Sequence, residues 1–246
     1  MDGDEDMRPD CVSDVVRSYR EQGSAAPQSS SPIRYIRLHV TREGITGTRS
    51  ISENGATMLL NDWLNVVDES AALGAKWMIV YFDTHVDKTS DAWKICSWAQ
   101  EVHDIRVGLH INSRYLQHWD FSSLSKLDTE RTFIVSDQSK LQSLSFLEEQ
   151  GYTLCHSNIG EEDREMPCTH TDSIVCAGAD GVMFCCGLVV GEESYRLGDV
   201  RSDSVGRAMQ NHAGLEPILF SRGHTETGCD GCPPIMAQRF SEQHSG

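Results

Sequence analysis

Four cysteines in the C-terminal third of the chain have the residue type and spacing of a metal centre. Two residues separate Cys229 from Cys232, and Gly231 gives the backbone the freedom of a tight turn, so both thiolates can face one metal. Cys168 and Cys186 lie upstream, at the start and end of a predicted hairpin. Four thiolates suit either zinc or an iron–sulfur cluster, and spacing alone leaves both open.

Cys185 is the alternative to Cys186, because neighbouring residues of a strand face opposite sides. We favour Cys186 for its distance from Gly181. Of the five remaining cysteines, Cys11 lies in the acidic N-terminal tail, and four are interpreted as small buried hydrophobic residues: Cys96, Cys155, Cys176 and Cys185. A thioredoxin-like redox role for the C-terminal CxxC is not favoured, because the segment continues into two prolines and not into a helix.

A second candidate site follows a predicted strand over residues 76–82. Asp83, His85 and Asp87 come directly after it, where the sites of α/β proteins gather. The two carboxylates and the imidazole could bind a cation or perform acid–base chemistry. The alternative interpretation is a polar loop without a function. His110 is interpreted as a satisfied core histidine and His103 as a helix-end residue favoured by the macrodipole. The sequence contains no HExxH, phosphate loop, GxGxxG or nucleophile elbow.

Alternating strands and helices must position these residues. The apolar patterns predict strands over 33–40, 76–82, 106–112, 132–135 and 152–156, and helices over 56–73, 91–102 and 140–150, with a helical turn over 121–127. Helical crossovers of about ten residues imply a parallel sheet with right-handed connections. The fold class is therefore α/β. About five units are too few for an eight-fold barrel, so we predict a partial, open (β/α) barrel.

The pattern of charged and apolar residues changes near residue 160. A charged linker precedes short predicted strands over 173–175, 181–184 and 188–190 and a helix over 203–211. The N-terminal segment is acidic and then rich in serine and proline, so we expect partial disorder there. The sequence thus predicts a tail over 1–32, a barrel region over 33–160 and a small domain over 161–246.

The net charge argues against nucleic acid and anionic membranes as binding partners. The 37 acidic residues exceed the 21 basic ones, giving a net charge of −16, and nothing supplies the basic face that nucleic acid or an anionic membrane requires. No run of about 18 apolar residues occurs, and no secretory signal pattern opens the chain. We therefore expect a cytoplasmic protein, where thiols stay reduced and clustered cysteines serve as metal ligands.

Residues 168–209 resemble the C-terminal extension of radical S-adenosylmethionine (SAM) enzymes of the SPASM and Twitch type. There, a cysteine precedes a hairpin with an Asp-Gly turn, a second cysteine follows, and an LGD/N-V/I motif leads into a helix. Here these are Cys168, Asp180–Gly181, Cys186 and the LGDV motif of residues 197–200. The Twitch form implies one auxiliary [4Fe–4S] cluster, with Cys168, Cys186, Cys229 and Cys232 as ligands. No cysteine follows Cys232, so one cluster is implied and not two.

The barrel region is similar to that of the same family, most clearly over residues 59–82, with two departures. The loop after the first strand reads TREGITGTR and lacks the CxxxCxxC that binds the SAM-cleaving cluster. After the second strand, DTHVDKT stands where the family carries a GGE-like motif. The resemblance therefore implies a degenerate homologue that does not cleave SAM.

Three functions remain open at this point. The first is an electron-transfer or structural partner of another protein, such as an intact radical SAM enzyme or a redox protein, in a biosynthetic or maturation pathway. The second is a binding protein stabilised by zinc in the same four cysteines. The third is a SAM-independent enzyme that uses Asp83, His85 and Asp87 at the barrel mouth.

Overall fold

The computed structural model describes residues 33–40, 58–82, 91–111, 121–136, 143–156 and 171–215. In these ranges the strands are β1 (Tyr35–His39), β2 (Trp77–Phe82), β3 (Arg106–Ile111), β4 (Thr132–Ser136), β5 (Thr153–His156), β6 (Ile174–Ala177), β7 (Val182–Phe184) and β8 (Arg196–Asp199). The α-helices are α1 (Leu60–Ala72), α2 (Asp91–His103), α3 (Ser145–Glu149) and α4 (Val205–Gln210). A 3-10 helix over Phe121–Lys126 stands where a helical turn was predicted.

The strands form one sheet in the order β5-β4-β3-β2-β1-β6-β7-β8. The strands from β1 to β5 are parallel to their neighbours, β6 is parallel to β1, and β7 and β8 complete the sheet as antiparallel strands. The predicted α/β class, with its five consecutive parallel strands, is confirmed. Closure into a partial barrel stays a prediction.

The helices pack on one face of the sheet. Apolar residues recur at helical spacing in α1, where Trp63, Val66 and Val67 are buried. They join the same core cluster as alternate residues of β1 to β5, such as Leu38 and Val80. We call this the outer face. None of the helices in the described residues is long and apolar enough to cross a membrane.

A shared carboxylate ties α1 to α2. Asp68 Oδ1 accepts a hydrogen bond from Trp98 Nε1 at 2.6 Å, and it lies 2.6 Å from His103 Nε2. His103 is the last residue of α2, as the sequence predicted. Glu69 of α1 accepts a hydrogen bond from the Val205 backbone N–H at the start of α4. These contacts fix α1, α2 and α4 relative to one another.

The opposite, inner face carries a second apolar cluster made of strand residues alone: Ile79, Phe133, Val135 and Cys155, with Trp77 packed against it. Gly108 of β3 makes this packing possible. A Cβ at that position would lie 2.5 Å from Phe133 Cε2 and 2.7 Å from Ile79 Cδ1, which is closer than real Cβ contacts. The Phe133 ring therefore lies across a gap that only glycine leaves.

The β6–β7 hairpin turns at the Asp180–Gly181 pair that the sequence marked. Gly181 has φ +85°, a conformation that favours glycine. Its carbonyl accepts a hydrogen bond from the Val200 N–H at 2.9 Å, while the Asp199 carboxylate pairs with Arg201. Arg201 Nη2 in turn donates to the Asp180 carbonyl. The LGDV motif, most of which forms β8, is thus held against the hairpin turn.

One expectation for this region is wrong, and one strand of it was missed. The strand predicted over 188–190 is wrong, because the chain forms a 3-10 helix at Gly187–Val189 and Gly191 then adopts φ +90°. Gly187 lies so close to the side chain of Arg37 that a Cβ there would be 2.7 Å from Arg37 Cδ, so the approach requires glycine. β8 was not predicted. The predicted helix over 203–211 is confirmed as α4, where Ser204 Oγ accepts a hydrogen bond from the Arg207 N–H.

The predicted tail over 1–32 and the predicted boundary near residue 160 both lie outside the described residues. The pairing of β6 with β1 makes residues 171–215 continuous with the parallel sheet. The division into a barrel region and a Twitch-like domain remains a prediction.

We expect Gly108→Ala to lower the free energy of unfolding by about 1–3 kcal/mol, because the added methyl group overpacks the inner face. Urea unfolding measures the change. Ser125→Ala, on the exposed surface of the 3-10 helix, is the control and should stay within about 0.5 kcal/mol of wild type. Equal stability of the Gly108 variant and wild type would show that Phe133 does not need this gap.

Candidate functional site

Four polar side chains meet on the inner face, at the carboxyl ends of three neighbouring parallel strands. The strand register places His39 of β1 beside Tyr81 of β2, and Tyr81 beside His110 of β3. Arg37 lies two residues before His39 and therefore on the same face. We call Arg37, His39, Tyr81 and His110 the inner-face cluster.

The members of the inner-face cluster contact one another directly. Arg37 Nε donates a hydrogen bond to His39 Nε2 at 3.1 Å, and its guanidinium carbon lies 5.3 Å from the centre of the Tyr81 ring. The Tyr81 ring centre lies 5.1 Å from that of His39 and 4.9 Å from that of His110, with the second pair nearly perpendicular. Arg37 and His39 are each 6% exposed and His110 is 7% exposed. The cluster is therefore a buried polar site.

Burial and the nearby guanidinium keep both imidazoles neutral. Burial, followed by the charges of Arg37 and His110, holds the pKa of His39 well below its usual range. Burial and the charge of Arg37 lower the pKa of His110 to about 3. Because His39 Nε2 accepts the hydrogen bond from Arg37, the proton of neutral His39 resides on Nδ1. Near neutral pH these neutral histidines can donate or accept a hydrogen bond, but they cannot act as general acids.

His110 departs from the sequence interpretation in one respect. It is buried in the strand as predicted, but it is not satisfied, because its buried Nδ1 has no hydrogen-bond partner in the described part of the chain. A buried polar atom without a partner costs about 1–3 kcal/mol. Its neighbour in the register of β4 is Val135, an apolar residue that offers no hydrogen bond.

The cysteines expected to be buried are so. Cys96, Cys155 and Cys176 are fully buried, and Cys185 is 1% exposed. Burial raises the pKa of the Cys96 and Cys176 thiols, so both stay protonated at neutral pH. Cys176 lies beside Arg37 in the register of β6 and β1.

Cys186 differs from these four because its side chain is only partly buried. It follows β7, and the next residue, Gly187, lies against Arg37: a Cβ at Gly187 would be 2.6 Å from Arg37 Nε. Of the two alternatives that the sequence left, Cys186 is thus the more accessible and Cys185 belongs to the hydrophobic core.

The other predicted site residues lie outside the described residues. These are Cys168, Cys229 and Cys232 of the proposed metal centre and Asp83, His85 and Asp87 of the proposed barrel-mouth site. Within the ranges that the structure describes, no three His, Cys, Asp or Glu side chains are grouped as metal ligands. The convergence of the four cysteines therefore stays a prediction.

Sequence reasoning missed Arg37, His39 and Tyr81. The sequence shows only that Arg37 and His39 alternate with apolar residues, which by itself is typical of a strand with one solvated face. The position of β1 in the middle of the sheet, which the structure supplies, buries that face.

No protein-family model matches the chain, and no curated protein sequence matches it. The chain is similar to several solved structures at low identity, among them BtrN and Streptococcus suis SuiB. BtrN in an open conformation shares 8% identity with a TM-score of 0.48, over 82% of this chain and 88% of BtrN. Streptococcus suis SuiB bound to S-adenosylmethionine shares 7% identity with a TM-score of 0.33, over 70% of this chain and 64% of the SuiB chain. With TM-scores below 0.5, these likenesses concern the general course of the chain and not its ligand or reaction.

We expect the two buried histidines to make the protein acid-sensitive. Their pKa values are depressed in the folded state, so below pH 6.5 the unfolded chain binds protons that the folded chain does not. For each unit by which the pH falls below 6.5, each histidine lowers the free energy of unfolding by up to about 1.4 kcal/mol. Above pH 6.5 this effect is absent. Urea unfolding from pH 7 to about pH 4 measures the slope.

His110→Phe should reduce this slope by about one proton per molecule, whatever its effect on absolute stability. Lys126→Met, which removes an exposed cation, serves as the control and should leave the slope unchanged. The same slope in wild type and His110→Phe would contradict a neutral, buried His110.

Proposed function

We propose that this chain binds one metal centre through Cys168, Cys186, Cys229 and Cys232, and that the centre is a [4Fe–4S] cluster. On this proposal the protein is a radical SAM homologue that does not cleave SAM. It works in the cytoplasm as an electron-transfer or structural partner of another enzyme in a biosynthetic or maturation pathway.

The position of Cys186 carries the proposal. Among the five cysteines in the described residues, Cys186 is partly exposed, while the other four are buried. Cys186 packs against the edge of the core with part of its surface exposed, so it can bind a metal together with ligands from other segments, whereas Cys185 is enclosed by the core. This supports the choice of Cys186 that the sequence spacing had suggested.

The arrangement of the hairpin supports the same proposal. The Asp180–Gly181 turn and the β8 residues of the LGDV motif are joined by hydrogen bonds, and Cys186 follows the strand that leaves this turn. The described residues that carry the family resemblance therefore form one structural unit.

The segment that carries Cys186 passes close to a guanidinium, since a Cβ on the next residue, Gly187, would lie 2.6 Å from Arg37 Nε. When bound by four cysteines, an iron–sulfur cluster supplies electron transfer or structural support, because no iron remains open to a substrate.

We expect Cys186→Ser to lose most of the iron and acid-labile sulfide of the anaerobically purified protein, because one of four ligands is removed. The matched control is Cys185→Ser, which changes the adjacent buried thiol and should retain the cluster. Metal analysis and the visible absorption spectrum measure both variants. Zinc in place of iron would favour the zinc-stabilised binding protein, and equal metal content in wild type and Cys186→Ser would contradict the proposed ligand set.

We expect no 5′-deoxyadenosine from SAM under strong reductant, since the segment TREGITGTR carries no thiolate for a SAM-cleaving cluster. Chromatography of reactions with the reconstituted protein measures the product, with a protein-free reaction as the control. Turnover above that control would refute the non-cleaving role while leaving the four-cysteine centre to be tested by its metal content.

A further inference from the structure

We propose that Arg37 is a positioning residue for Cys186, because its buried side chain packs against Gly187 and so fixes the backbone beside the thiol. This inference rests on the proposed function, in which Cys186 is a metal ligand. It adds that the centre is assembled against a side chain of β1, the first strand of the sheet. Arg37 acts here through its shape and its fixed position, and not as a ligand.

The contact between Gly187 and Arg37 leaves no room for a side chain on the glycine. A Cβ at Gly187 would lie 2.6 Å from Arg37 Nε and 2.7 Å from both Cδ and Cζ, which is closer than real Cβ contacts. The three atoms are consecutive, so the glycine lies across the middle of the arginine side chain. Gly187 does not have a positive φ. The close approach, and not the backbone conformation, therefore requires glycine at this position.

Arg37 is itself held in place and does not move aside easily. The residue is 6% exposed, and its Nε donates a hydrogen bond to His39 Nε2 at 3.1 Å. Its guanidinium carbon lies 5.3 Å from the centre of the Tyr81 ring. The backbone of β1 is paired on both sides, with β2 and with β6. A shift of the guanidinium would take the donor away from a buried imidazole nitrogen, so Arg37 presents a firm surface to Gly187.

Cys186 lies in a short connection whose two ends are both fixed. On one side, β7 ends at Phe184, which is paired with Cys176 of β6. On the other side, Gly187 begins a 3-10 helix, and the Cys186 carbonyl accepts a hydrogen bond from the Val189 N–H at 3.4 Å. Val189 is buried in the core cluster. A displacement of Gly187 therefore reaches Cys186, the preceding residue of the same connection.

The size of the expected displacement matters for a metal ligand. Carbon atoms in contact lie about 3.5–4 Å apart, so a methyl group 2.6 Å from Arg37 Nε would force the two segments apart by roughly 1 Å. Metal ligands need to be held within about 0.5 Å of their working geometry. A displacement of that size at Gly187 is therefore expected to disturb the Cys186 thiolate as a ligand of a four-cysteine centre.

Gly187→Ala in the full chain, purified anaerobically, tests the positioning role. We expect its iron content per chain to fall at least about threefold relative to wild type. The electron paramagnetic resonance spectrum of the residual reduced cluster should also differ from that of wild type. The matched control is Ser194→Ala, in the exposed 3-10 helix that follows, which should leave both measurements unchanged. Circular dichroism verifies that both variants are folded.

A double-mutant cycle assigns the effect to the contact with Arg37. Arg37→Ala alone should lower the iron content, because the surface that fixes Gly187 is removed. Adding Gly187→Ala to Arg37→Ala should lower it no further, since the new methyl group then meets no guanidinium. If the two losses multiply instead, the two residues act independently and the proposal is overturned.

A measurement on the metal-free protein covers the case in which Arg37→Ala fails to fold. The rate at which iodoacetamide alkylates Cys186, followed by peptide mass spectrometry, should change at least about threefold in Gly187→Ala and stay constant in Ser194→Ala. An unchanged rate, or an unchanged iron content in folded Gly187→Ala, would overturn the positioning role. Absence of metal from the wild type would refute the proposed function, whereas metal in both wild type and Gly187→Ala would refute the positioning role alone.

Discussion

A guanidinium buried in the middle of the sheet is the constraint on which the inner face depends. β1 pairs with β2 on one side and β6 on the other, so Arg37 cannot reach solvent along the sheet. Its burial is tolerated because His39 accepts a hydrogen bond from Nε and the Tyr81 ring lies beside the cation. The absence of a side chain at Gly187 leaves room for the guanidinium next to the β7 segment.

Arg37 also connects the inner-face cluster with the segment that carries Cys186. Its Nε donates a hydrogen bond to His39, and a Cβ at Gly187, the residue after Cys186, would lie 2.6 Å from the same atom. Both segments therefore lie beside one guanidinium.

The two faces of the sheet are stabilised by different kinds of packing. The outer face is covered by amphipathic helices, whose apolar residues make one continuous core with the strands. The inner face combines a small apolar cluster with buried polar groups, and it depends on local fits such as Phe133 across Gly108. Overpacking is costly in such a layer, because an added methyl group forces either a ring out of its preferred rotamer or a shift of strands that backbone hydrogen bonds hold in place.

The sequence alone determined the parallel strands and the main helices, because apolar runs and helical spacing are local signals. It also determined the Asp180–Gly181 turn, since a positive φ selects glycine. Only the tertiary structure decided that residues 187–189 turn against Arg37, that β8 joins the sheet, and that Arg37, His39, Tyr81 and His110 share one site. Those facts depend on register and on contacts between segments far apart in the chain, and no local pattern encodes them.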